Sequence, residues 1–182
     1  MDKVNEFKNG IFALHTRRFG KVAELMIQKL FNTEQSTSLA YDALKENLRI
    51  EIKFSRALNK ENQKPITDKN IIEQCCNACY LNRQILSTNL NDFDCNIQQV
   101  KPKEFDILYF GIFFNDYIEI YKITSDDVIM LPGYSNHQHR GNVGEGQFHL
   151  NNTNIDFYRN NYMIQKISYD YLLDLFQKGE NL

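Results

Sequence analysis

Apolar and polar positions divide the chain into stretches of two periods. Between residues 3 and 31, Val22, Leu25, Met26, Leu30 and Phe31 recur at spacings of three and four, which predicts helix, with Gly10 and Gly20 as points where it would break or kink. After a polar loop over 32–38 the period changes to two. Residues 39–45 predict one strand, Glu46 and Asn47 a turn, and residues 48–55 a second strand whose Ile50, Ile52 and Phe54 share a face. Residues 57–68 are polar and irregular. A helix is then predicted from Thr67 and Asp68, with Ile71, Ile72, Cys75, Cys76, Cys79, Ile85 and Leu86 on a broad apolar face. Residues 94–100 predict a strand, and 105–114 with 117–123 a hairpin turning at Asn115 and Asp116. The first arm of that hairpin is almost wholly apolar, as a central strand should be. A glycine-rich polar stretch covers 132–152, a short helix and a strand fit within 153–167, and a last helix runs over 168–178 from Ser168. This order predicts an α/β (α+β) protein, a central mixed β-sheet flanked by helices, in a single domain over 1–182.

Composition adds a charge asymmetry. The net charge of the 182 residues is only -2, yet residues 1–69 hold 13 Lys and Arg against 9 Asp and Glu, and residues 104–182 hold 5 against 11. The basic excess, with Lys45, Arg49, Lys53, Arg56, Lys60, Lys64 and Lys69, surrounds the first hairpin and suits a phosphate-bearing partner. The first residues carry no apolar leader, and no run is long and apolar enough for a membrane span. Together with four cysteines that suggest no disulfide framework, this predicts a cytoplasmic protein with reduced thiols and no membrane partner. Cys75, Cys76 and Cys79 resemble half a zinc site, but they fall on the predicted apolar face and no second Cys-X-X-Cys answers them, so they read as core residues.

The candidate chemistry lies in the first hairpin. Asp42 stands on the first strand; Glu51 and Lys53, two apart on the second, point to the face opposite Ile50, Ile52 and Phe54. Oxygen ligands suit Mg²⁺, and a neighbouring lysine can steady charge developing on a phosphate. The plainer reading is a same-face ion pair with Asp42 nearby. Against it stands the location of these charges on an otherwise apolar strand. Asp, eight residues, then Glu-X-Lys, preceded by a helix bearing Glu24, resembles the PD-(D/E)XK nuclease superfamily, whose best-known members are type II restriction endonucleases. The resemblance covers about the first half of the chain, and Tyr41 stands where the motif's name has Pro.

The resemblance implies a restriction-endonuclease-like core and Mg²⁺-dependent hydrolysis of DNA phosphodiesters with one or two ions per site. Asp42, Glu51 and the Ile52 carbonyl would hold the metal, Lys53 would act on the attacking water, and Glu24 would be an outer or second-metal ligand. Duplex DNA as partner, a short recognition sequence and a homodimer matched to a palindrome follow from the same likeness. Ser55 and Arg56 become candidate DNA contacts. In 132–152, Asn136, His137, Gln138, His139, Arg140, Asn142, Glu145, Gln147 and His149 include the side-chain types that read base edges, which makes this stretch the expected DNA-recognition region. The alternatives are another nuclease with the same core, acting at junctions or in repair, and a non-catalytic DNA-binding module of the same fold.

Overall fold

The computed structural model describes residues 2–59, 64–89, 93–137 and 144–178. Helix α1 (Lys3–Ala13) begins at Asp2, whose carboxylate accepts the Val4 N–H at 3.1 Å. Helix α2 (Thr16–Phe31) ends at Asn32 in the left-handed conformation. The expected long helix is thus two helices. The break falls at Leu14 and His15, both extended, while Gly10 and Gly20 lie inside the helices. The buried stripe of α2 is Phe19, Ala23, Met26 and Ile27, one step round from the expected one, and Leu25 is partly exposed.

Strands β1 (Glu34–Gln35), β2 (Ala43–Lys45) and β3 (Leu48–Arg56) follow. Glu46 and Asn47 both have positive φ, 50° and 68°, as a two-residue hairpin turn requires. Residues 39–42 do not continue β2 as expected, and Leu39 is fully exposed. Next come α3 (Ile71–Asn77), a single tight turn (Tyr80–Arg83), β4 (Asp94–Val100), β5 (Ile107–Phe113), β6 (Tyr117–Thr124), α4 (Ser125–Val128), β7 (Gly146–Asn151), α5 (Ile155–Asn161), β8 (Met163–Ser168) and α6 (Tyr169–Gln177).

The central sheet has six strands in the order β1-β2-β3-β5-β6-β8. β3 and β5 pair in parallel and the other pairs are antiparallel, so the sheet is mixed. Period-two alternation along β5 feeds two cores. Tyr109 and Phe113 join Ile50 and Ile52 of β3 beneath α1, α2 and α6. Leu108, Phe110 and Ile112 point the other way, against a two-stranded ribbon of β4 and β7 and against α5. Gly111 lets β5 pass close to its neighbours: a methyl there would run into the Glu119 carbonyl and the Phe54 ring.

The stretch around α3 departs most from expectation. The helix has seven residues, begins at Asn70 rather than Thr67 or Asp68, and leaves Ile71 and Ile72 exposed. Cys75, Cys76 and Cys79 are exposed too, so they are not core residues; Cys95 of β4 is the buried one. The spacing is helical, but among the described residues no layer buries that face. The side chain turned inward is Gln74, whose Oε1 accepts the Lys64 N–H. Within 132–152, residues 146–151 are strand rather than loop. Among the described residues no helix is long and apolar enough to cross a membrane.

Candidate functional site

The first hairpin ends in a fork. Ala43 pairs with Ile50, and one residue earlier the Asp42 N–H still donates to the Ile50 carbonyl at 2.9 Å. Beyond that point the chain of β2 departs, and the next β3 donor, the Ile52 N–H, is taken by the Asp42 carboxylate at 2.9 Å. A side chain therefore completes a ladder position that backbone has vacated. On the face of β3 toward the ribbon, Lys53 contacts the Glu51 carboxylate directly. Asp42, Glu51 and Lys53 meet in a recess of about 180 Å³.

Burial governs the electrostatics. It raises the Asp42 carboxyl above its ordinary range, against the pull of Lys53 and the Ile52 N–H. It pushes Glu51 up to about 7, with Lys53 opposing and Asp42 and Glu104 adding to the rise. Burial alone would lower Lys53, but the Glu51 and Asp42 carboxylates outweigh it and hold the ammonium above its ordinary value. Lys53 thus stays protonated at neutral pH, and two crowded carboxylates share one cation between them. Such a pair favours any further positive charge that enters the recess. Among the described residues no group of three or more His, Cys, Asp and Glu side chains is arranged to hold a metal ion, so a metal here would draw on the two carboxylates with backbone or water.

The other expected site residues spread out. Glu24 pairs with Lys21 at 2.8 Å and does not line the recess, although its charge acts on both Asp42 and Lys53. Ser55 follows Lys53 on the same face of β3. Arg56 is half-buried and turned toward α1 and α2. Its guanidinium lies 3.9 Å from the Phe19 ring centre and donates to the Ile11 and Leu14 carbonyls at the end of α1. Asn136 and His137 are exposed and bonded to each other at 2.6 Å. Gln147 and His149 lie on β7, where Asn96 of β4 donates to Gln147 and Asp94 pairs with His149 at 2.7 Å. Gln138, His139, Arg140 and Asn142 lie outside the described residues. Glu145 lines the recess of Asp42, Glu51 and Lys53.

The recess is also lined by Gln99, whose place on a strand beside the core made it a possible neighbour of Lys53 or of DNA, and by Lys101 and Glu104, for which the sequence raised no such expectation. Lys101, Glu104 and Glu145 also border a wider hollow of about 1450 Å³ that opens past Arg49 and Asn136. At its edge Arg49 grips Asp106 through two side-chain bonds of 2.8 and 3.1 Å, which holds the start of β5 beside β3. The Lys101-Pro102-Lys103 run was the available sign that this wall was charged. The chain matches no protein-family model, and no curated protein matches it in sequence.

Proposed function

We propose that this chain is a Mg²⁺-dependent deoxyribonuclease of the PD-(D/E)XK kind, a type II restriction endonuclease that hydrolyses duplex DNA at a short sequence as a homodimer. The observation that carries the reading is the convergence of Asp42, Glu51 and Lys53 in one recess where β2 parts from β3. Asp42 and Glu51, with the Ile52 carbonyl, form the donor set for the metal. Their raised proton affinity supports the fit, because a dication supplies the positive charge that Lys53 alone does not. Bound there, Mg²⁺ would neutralise phosphate charge and make water a better nucleophile.

The protein's own groups do the rest. Asp42 is held in register by the Ile52 N–H, so its free oxygen keeps a fixed direction. Lys53 is a charged donor at neutral pH, and its role is to orient the attacking water and stabilise the developing charge on the phosphate rather than to accept a proton. Glu24 acts from outside as a field on Asp42 and Lys53.

The test is plasmid cleavage in Mg²⁺ with and without EDTA. Discrete fragments, lost with EDTA and lost again in Lys53→Met and Glu51→Gln of unchanged fold, are the expected result. Smears or cleavage confined to branched DNA would replace restriction by a repair or junction activity. Absence of cutting at every protein concentration would overturn the enzyme.

A further inference from the structure

Strand β4 does not stay regular to its end. Its pairing with β7 slips between Ile97 and Val100, and Gln99 inside the slip takes a φ of 58°. A residue with a side chain is uncommon in that conformation, and bulges of this kind re-aim the side chains beside them. Val100 is buried in the ribbon core, while Gln99 and Lys101 on either side of it both reach the recess of Asp42, Glu51 and Lys53.

Lys101 is held there loosely. Its Nζ lies 3.5 Å from Glu104 and 3.8 Å from Glu145, beyond the roughly 2.7–2.9 Å of a charge-assisted hydrogen bond. Its side chain is 39% exposed, against 26% for Lys53, which touches Glu51 directly. The recess thus has two lysines in different states, one fixed in the carboxylate pair and one tethered by charge at the opening toward the wider hollow.

We propose that Lys101 is a substrate-binding residue. It exchanges its two loose carboxylate contacts for a backbone phosphate oxygen when a duplex docks, and the β4 bulge is the device that brings it to the recess. This assignment rests on the nuclease reading. Phosphate contacts made by a lysine are independent of sequence and release counterions, so they appear in the salt dependence of binding. A lysine that merely bridges Glu104 and Glu145 would affect stability and leave that dependence unchanged.

The experiment measures binding of the full chain to fluorescent duplexes of unrelated sequence across a salt series, with Ca²⁺ in place of Mg²⁺ to hold back cleavage. Lys101→Gln should weaken binding to every duplex alike and reduce the slope of log K against log salt by about 0.9, the value of one phosphate contact. Lys101→Arg should restore the slope, and thermal unfolding of both variants should match the parent. A parent that binds, with the same slope in Lys101→Gln, overturns the assignment and leaves the nuclease reading standing. A parent that neither binds nor cuts any duplex overturns both.

Discussion

Glu51 should make the metal-free protein less stable as pH rises from 5 to 8. Its carboxyl has an ordinary value of 4.5 and is pushed up to about 7 in the folded chain, chiefly by burial. A group whose folded value is raised contributes its stability below the unfolded value, and that contribution is lost as pH climbs through the folded value. At roughly 1.36 kcal/mol for each tenfold change in proton affinity, the loss is about 3 kcal/mol at most. Asp42, raised in the same direction, adds to it at the lower end of the window. Asp106 and Asp170 are lowered carboxyls, so their contributions are complete above the ordinary carboxylate range and flat between pH 5 and 8. Urea unfolding at several pH values, with EDTA present, measures the effect, and for a chain of this size it corresponds to a fall in Tm of roughly 6–12 °C. Glu51→Gln removes the main titrating group, so its profile should lose most of the fall and keep only the smaller Asp42 contribution at the lower end, whatever its absolute stability. Adding Mg²⁺ should stabilise the parent more at pH 8 than at pH 5, because the ion competes with the proton. A parent whose stability is level or rising from pH 5 to 8, with Glu51→Gln following the same curve, would refute the reasoning.

Gly111→Ala should cost about 1–3 kcal/mol or more in denaturant unfolding, because the added methyl meets the Glu119 carbonyl as well as the movable Phe54 ring. Unfolding midpoints within experimental error of the parent would show that β5 and β6 can separate there without penalty. Arg56→Ala should lower stability by about 2–3 kcal/mol through lost carbonyl bonds at the end of α1 and lost stacking on Phe19, while on the proposed nuclease reading binding to duplex DNA stays at the parent's level; a selective loss of that binding would make Arg56 a DNA contact instead. Thiol labelling of the native chain should modify Cys75, Cys76 and Cys79 quickly and Cys95 only on unfolding, read by mass spectrometry as three rapid additions and one slow.

The hairpins were legible because period two and turn residues are local. Glu46 and Asn47 tolerate positive φ, and Asn115 with Asp116 sits between two runs of apolar residues. The shared face of Glu51 and Lys53 followed from the same period. What stayed hidden depends on distant packing. Helical spacing over 71–79 is the same whether or not another layer covers it, and among the described residues none does. Arg56 turns inward because Phe19 and the end of α1 lie beneath it, far off in sequence. The break between α1 and α2 falls at Leu14 and His15, whose residue types do not announce it, while the two glycines beside it are helical. The wall made by Gln99, Lys101, Glu104 and Glu145 needs a strand slip and a left-handed glutamine, neither of which leaves a trace in composition.

The bond from the Ile52 N–H to Asp42 joins a β3 amide to an acceptor that can change charge. Backbone ladder bonds keep one polarity, but this one strengthens when Asp42 ionises and weakens when it takes a proton. The Ile52 amide is therefore an intrinsic spectroscopic probe. Its ¹H–¹⁵N resonance would shift as Asp42 titrates, and a cation settling on that carboxylate would move the same signal at constant pH. Events in the recess can thus be followed by labelling the backbone alone, with no side chain altered.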